Sequence, residues 1–339
     1  MSRVTLQSIA TQVGVSRMTV SNAFSRPDQL SDALRMRILA VADELGYLGP
    51  DPAARSLATG TTGSIGVLWS ARLREALSDE ITARFLGAIA DELAPDGLAL
   101  TLVPATVDGP VVPARDVAMD GAIAYSCDPA SPALAWLERR TLPVVYVDMP
   151  APPGSPSIRI DDAGGARAAA QHLVDLGHRR IALLTVQVDR VGSSHVVEQR
   201  MRGWLQALTA AGIQPDVLAL PSSVGARRLV AQLLREVRPT AVLCLTAVLA
   251  HDVLAAADDL GLAVPDDLSV VGFDDHPLAL RTRPSLTTVR QDVDAKGHAA
   301  ARALLSAIAA AGSESVSVES HLLPVTLVVR ESSGPPPAS

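Results

Sequence analysis

Between residues 17 and 22 the chain sets Arg17, Met18, Thr19, Ser21 and Asn22 close together, side chains suited to the edges and backbone of a nucleic-acid duplex. Arg17 can fork onto guanine, Asn22 can pair with adenine or a phosphate, and Met18 can meet a thymine methyl. Thr19 and Ser21 can bond phosphate. The stretch reads SRMTVSNAF, and winding it at about 100° per residue puts Val20, Ala23 and Phe24 on the opposite side. One face would seat the helix on a small core, while the other carries a single charge and short hydrogen-bonding groups. An ordinary amphipathic helix with a solvated face has the same pattern, so its neighbours must decide.

The elements around it supply that context. Thr5 is placed to cap a helix whose stripe is Leu6, Ile9, Ala10 and Val13. Gly14 then makes the turn, Val15 plugs it, and Ser16 caps the next helix. A third helix begins near Ser31, turns Leu34, Ile38, Val41 and Leu45 inward, and stops at Gly46. Helix, glycine turn, and helix with a small polar outer face is the helix-turn-helix pattern. After it, DPAARSLATG offers Asp51 as a cap and Pro52 as the first residue of a helix of about two turns, ending in linker-like TGTTGS. So short a helix is unstable alone in water and needs a partner to fold on. Its single leucine, Leu57, with Arg55 nearby, is suited to wedge into a base step from the minor groove. The bland alternative for Leu57 is packing on the following domain.

From Ser64 the texture changes to apolar runs alternating with helical stretches. SIGVLW, LALTLV, GAIAYS and PVVYVD form one set; after Asp161 come RRIALLT, DVLALP, TAVLCLT and LSVVGFD. Such alternation predicts two lobes, each a doubly wound parallel sheet with right-handed crossovers. Open sheets of this kind bind ligands beyond the carboxyl ends of their strands. Those ends are Trp69 and Ser70, Tyr125 and Ser126, Asp148, Thr246, and Asp274 and Asp275. The expected domains are an all-α helix-turn-helix unit at 1–49, a hinge helix and linker at 50–62, and an α/β core at 63–330. The tail, 331–339, ends in SGPPPAS and is expected to be disordered.

The totals narrow the function further. The chain has 339 residues, 48% of them hydrophobic and 19% charged, which suits more than one globular core. Net charge is −7, yet residues 1–60 carry six arginines against five acids, so a polyanion partner belongs to that segment. Cys127 and Cys244 follow apolar runs far apart and read as buried thiols, with no metal site expected. Neither a secretory leader nor an apolar run of about 18 residues is present, which predicts a cytoplasmic protein with no membrane partner. An enzyme working between the lobes is disfavoured: no G-x-G-x-x-G follows a strand, and P-loop, H-E-x-x-H and G-x-S-x-G motifs are missing. The seven histidines are scattered, with His172 and His178 flanking a helix end and His276 before a proline. A transport-type binding protein would have no use for the first sixty residues.

VTLQSIATQVGVSRMTVSNAF, followed by DELGY and PAARSLATG, resembles the DNA-binding head of the LacI/GalR family of bacterial transcription regulators. The resemblance continues through HLVDLGHRRIALLT, RMRGWLQAL, VPDDLSVVGFDD, PSLTTVRQD and LPVTLVVRESS, covering essentially the whole chain. It implies a ligand-responsive repressor whose homodimer reads a near-palindromic, double-stranded operator, with paired hinge helices pressing leucines into the central minor groove. By position Leu57 is that leucine; Arg17, Met18, Ser21 and Asn22 face the groove, and Thr5, Ser16, Thr19, Ala54 and Arg55 join the DNA side.

The same resemblance implies two lobes like those of periplasmic sugar-binding proteins, closing on a small effector. Crossovers near Asp161, Arg290 to Asp292, and Pro324 would give the N-terminal lobe 63–160 and 292–323, and the C-terminal lobe 161–291 and 324–330. Arg200 matches the family's ligand-holding arginine, facing Asp148 and Asp274. Trp69, Ser70, Tyr125, Ser126, Ile160, Thr246, Asp275 and Gln291 complete the expected effector set. No cofactor is implied; the default effector is a sugar, with nucleosides and other small polyols as alternatives. Three departures stand out. Thr246 and Ala247 replace a frequent Asn-Asp pair, Asp162 stands where asparagine is frequent, and Asn22 where arginine is frequent. No leucine heptad follows residue 330, so a dimer is expected rather than a tetramer.

Overall fold

Short polar caps, more than helix propensity, define the N-terminal unit. α1 (Leu6–Val13) is capped by Thr5, whose hydroxyl accepts from the Ser8 backbone while the Ser8 hydroxyl accepts from Thr5 in return. Gly14 ends it with φ 78°, a left-handed turn that suits glycine. α2 (Arg17–Ser25) starts on Ser16, which accepts from the Thr19 backbone at 3.0 Å. α3 (Asp32–Glu44) starts on Ser31 and is followed by Gly46 at φ 69°. Ile9, Ala10, Val13, Val20, Ala23, Ile38 and Ala42 form the core, with Phe24 meeting Tyr47 edge-to-face at 5.6 Å. Arg37 closes the unit by donating to the Val13 carbonyl at 2.8 Å.

The computed structural model describes residues 4–49, 51–69, 77, 79–105, 112–187, 194–221, 226–310 and 320–338. Its contacts divide at Gly63 into Met1–Gly63 and Ser64–Ser339. α4 (Pro52–Thr59) lies before the division, with Asp51 accepting from the Ala53 and Ala54 backbone and Gly60 left-handed at its end. None of its described side chains is buried.

In the second unit the chain forms β1 (Ser64–Trp69), β2 (Ala99–Pro104), β3 (Gly121–Tyr125), β4 (Val144–Val147) and β5 (Ser157–Ile160). Then follow β6 (Ile181–Val186), β7 (Asp216–Leu220), β8 (Ala241–Cys244), β9 (Ser269–Phe273) and β10 (Thr287–Gln291). β11 (Ser320–Leu323) and β12 (Val325–Val328) close the order. Two six-stranded sheets result, β11-β5-β4-β3-β1-β2 and β12-β10-β9-β8-β6-β7. All pairings are parallel except β10 with β12. Every residue of β3, β8 and β9 is buried, as a sheet covered on both faces requires.

The chain crosses between sheets after β5, after β10, and at Pro324 between β11 and β12. Helix Val293–Ala309 therefore returns to the first sheet, where Gly297 lets it approach helix Glu80–Leu93: a Cβ there would stand 2.7 Å from that of Ala88. Likewise Gly203 lets helix His195–Ala210 approach helix Asp162–Asp175, since any side chain would strike the Ala163 carbonyl. That close approach sets Arg200 beside Asp162.

The expected disorder of the tail is corrected for residues 331–334, where Glu331 accepts from the Ser285 backbone at 2.9 Å. Ser332 is fully buried, donating to the Val270 carbonyl at 2.6 Å and accepting from the Thr287 backbone at 2.9 Å. Ser333 bonds His172, and Gly334 donates to Ser269 while its carbonyl meets the buried His178. Composition suggested solvated chain, but small hydroxyls here find fixed partners at the starts of β9 and β10, inside the second sheet. Burial lowers the pKa of both His172 and His178, favouring the neutral rings these contacts need.

Candidate functional site

Two separate surfaces carry the candidate chemistry. The first is the outer face of α2. Arg17 and Met18 are exposed, Met18 at 70%, and neither side chain is engaged in a hydrogen bond among the described contacts. Ser16 and Thr19 are occupied differently: their hydroxyls lie 2.8 Å apart, and Ser16 also holds the helix cap. The Thr5 hydroxyl is likewise engaged in its own capping box. Ser21 and Asn22 are half-buried, and the Asn22 amide donates to Gln29 Oε1 at 3.0 Å. Gln29 was not foreseen from the sequence, because it lies beyond the end of α2 in a short 3-10 turn, Pro27–Gln29. On α4, Ala54 and Arg55 are exposed and Leu57 is 88% exposed.

The second surface is a cleft of about 340 Å³ in the α/β unit, a volume that accepts a small metabolite. Trp69, Tyr125, Ser126, Asp148, Arg200, Thr246, Asp274 and Gln291 all line it. Ser70 lies outside the described residues. Ile160 does not line it but packs in the core of the second lobe. Asp275 is also drawn elsewhere, held by Arg290 at 2.6 Å and Arg330 at 2.7 Å. The reason is the turn after β9: Asp274 and Asp275 lie beyond its last residue, Phe273, with left-handed φ of 80° and 46°, so adjacency to Asp274 did not bring Asp275 inward. Asp79, Thr82, Ser194 and His276 line the cleft too, from helix starts and a loop where no strand-end rule operates.

The strand ends that carry the cleft are bent sharply. Ser126, Asp148 and Asp274 have φ of 47°, 53° and 80°, left-handed values that cost non-glycine residues free energy. Such conformations turn their side chains off the sheet and into the space between lobes. Trp69 and Tyr125 stack with ring centroids 4.3 Å apart, and Phe85 stacks behind Tyr125 at 4.4 Å. The cleft thus has one aromatic wall.

Opposite stands a buried cation between two carboxylates. Arg200 Nε donates to Asp162 at 2.8 Å, Nη2 donates to Asp274 Oδ1 at 2.8 Å, and Nη1 donates to the Leu245 carbonyl at 2.6 Å. Its guanidinium also lies 3.6 Å from the centroid of the Phe273 ring. Burial alone would lower the Arg200 pKa, but Asp274 and Asp162 outweigh it and hold the group charged. Burial pushes Asp162 up to about 6, with Arg200 opposing the rise.

Lys296, missed by the sequence reading, donates to Asp148 Oδ2 at 2.5 Å and to Gln291 Oε1 at 2.9 Å. Burial opposes its charge, and Asp148 restores it. The other oxygen of Asp148, Oδ1, is buried without a partner among the described residues. The geometry offers charge-assisted acceptors and donors beside an aromatic wall, an arrangement for gripping hydroxyl groups. Among the described residues no cluster of side chains could hold a metal ion.

The chain thus carries a three-helix unit of helix-turn-helix pattern and a two-lobed α/β core with a polar cleft. Residues 5–49 match the bacterial regulatory proteins of the lacI family, and residues 170–333 match the periplasmic binding protein-like domain. The HTH-type transcriptional regulator IpsA of Corynebacterium glutamicum is 39% identical over 330 residues, 90% of this chain and 91% of that protein. The Lac repressor dimer bound to operator and the anti-inducer ONPF superposes with a TM-score of 0.78 at 28% identity, covering 98% and 100% of the two chains. A complex of the transcriptional regulator CelR with cellobiose gives 0.69 at 26% identity, covering 97% and 100%. The chain belongs to the LacI family of transcription regulators. No helix among its described residues is long and apolar enough to cross a membrane.

Proposed function

We propose that this chain is a repressor that binds a near-palindromic operator as a homodimer and is controlled by a small polyhydroxylated effector, a sugar or a close analogue. The observation that carries the effector class is the environment of Arg200. Its charge is already balanced by Asp162 and Asp274, so the described cleft offers an anionic ligand no unmatched cation. Neutral hydroxyls fit better. They can donate to the carboxylates that line the cleft, Asp148 and Asp274, while an apolar ring face lies on Trp69 and Tyr125. That CelR is seen with cellobiose, and an Enterococcus faecium family member with ribose, supports the same class.

The effector acts by favouring one degree of lobe closure, because a ligand that binds both states equally shifts nothing. Closure changes the contact between the two N-terminal lobes of the dimer and so the spacing of the two hinge helices. α4, eight residues with no described side chain buried, draws its stability from outside itself, from its twin and from DNA. No cofactor takes part, and no membrane.

The test is a thermal-shift screen of the full chain against neutral monosaccharides, disaccharides, cyclic polyols and nucleosides, with hexose phosphates as a counter-panel. A neutral hit that also changes duplex affinity supports the proposal. A phosphorylated hit with no neutral one overturns the effector class.

A further inference from the structure

The mild outer face of α2 contains one side chain whose orientation is set by a residue outside the helix. Asn22 Nδ2 donates to Gln29 Oε1 at 3.0 Å. The Gln29 backbone is held in place: it ends the 3-10 turn Pro27–Gln29, and its N–H donates to the Arg26 carbonyl at 3.1 Å. Arg26 in turn donates to the Asn22 carbonyl at 2.8 Å. The turn therefore folds back on the last part of α2 and brings an amide acceptor to the edge of the reading face.

An asparagine reads adenine with two atoms, Oδ1 accepting from N6 and Nδ2 donating to N7. The Nδ2 group has two hydrogens. The one on the same side as Oδ1 serves N7, and the other points away. Bonding the away hydrogen to Gln29 leaves the adenine-reading pair intact. While Gln29 presents Oε1, it also disfavours the reversed Asn22 amide, because two carboxamide oxygens would then face each other. Arg17 and Met18, both exposed and without such a partner, have no comparable restraint among the described contacts.

We infer that Gln29 is a positioning residue for base readout: it locks Asn22 in the orientation that selects adenine. The inference rests on the reading of α2 as the major-groove helix and deepens it. Asn22 touches the base; Gln29 acts through Asn22.

The experiment uses the full chain and a pool of duplexes randomised over about 20 base pairs, a length that spans two half-sites. Enrichment by the wild-type chain should give a consensus with an adenine that Asn22→Ala no longer selects. Gln29→Leu should lower the preference for that adenine by about tenfold while affinity for scrambled duplex stays unchanged. Gln29→Glu keeps the acceptor, so the adenine preference should survive although added negative charge weakens binding to every duplex. Retention of full adenine preference by Gln29→Leu overturns the inference, as does an Asn22→Ala consensus identical to wild type. Failure of the wild-type chain to enrich any sequence would contradict the operator reading itself, and with it this inference. Unchanged melting of Gln29→Leu separates loss of readout from loss of fold.

Discussion

Lys296 lies 2.5 Å from Asp148, and the two side chains are 1% and 5% exposed. It is the only lysine in the chain. From that pair a line of hydrogen bonds runs through Gln291 to Asp274 at 2.7 Å and on to Arg200 and Asp162. Asp148 ends a strand of the first sheet and Asp274 a strand of the second, while Gln291 stands where the chain crosses between them. A change in lobe angle must therefore strain this line. Burying a cation here is costly, and the acid beneath the cleft is what compensates it.

Removing one member of that pair should cost far more than removing both. Lys296→Met leaves Asp148 buried without its counter-ion, and stability should fall by about 3–5 kcal/mol. Adding Asp148→Asn should recover a large part of that loss. Urea unfolding of the four chains in the cycle measures the coupling; additive losses would contradict it.

Asp162 gives the core an opposite pH signature from a surface acid. Its pKa rises to about 6 from an ordinary 3.8, so the folded chain keeps a proton that the unfolded chain has already lost. This contribution to stability therefore declines as pH rises through about 4 to 6 and stays low above that window. Asp162→Asn preserves an acceptor for Arg200 Nε without the buried charge. It should flatten the decline and raise stability at pH 7 by about 1–3 kcal/mol. Urea midpoints at pH 5, 6 and 7 check this, and a steeper profile in the variant would refute it.

The tail makes a third prediction. Ser332→Ala leaves the Thr287 N–H and the Val270 carbonyl without their side-chain partner, at a cost of about 1–3 kcal/mol. A melting temperature equal to wild type would mean the tail is as loose as its composition suggested.

What could be read from the sequence was local. Thr5, Ser16 and Ser31 cap the helices they precede, and Gly14 makes its turn, because caps and left-handed turns depend on a few neighbouring residues. The apolar runs became strands for a similar reason. Strand-end logic reached Asp148 and Asp274, yet it also pointed to Asp275, whose side chain turns away to two arginines. Lys296 was invisible, since it sits one turn into a helix that pairs with Asp148 only after the chain has crossed back to the first lobe. The buried tail shares that property, its partners set by tertiary contact, which periodicity does not encode. Gln29 differs: it lies seven residues from Asn22, beyond a 3-10 turn whose direction the helical pattern does not give.

Leu57 tests the hinge. Leu57 is 88% exposed, which leaves its side chain open to a partner outside its own unit. Leu57→Ala should weaken binding to an enriched duplex by at least tenfold, about 1.4 kcal/mol. Binding to scrambled duplex should change little. Equal losses on both would exclude a wedge between base pairs.

The central claim is that DNA recognition resides before Gly63 and small-molecule recognition after it. The most direct measurement compares the full chain with residues 64–339 by titrating an enriched duplex and a hit from the metabolite screen. The shortened chain should lose specific duplex binding and keep its affinity for the metabolite. Undiminished duplex affinity in residues 64–339 would contradict the account.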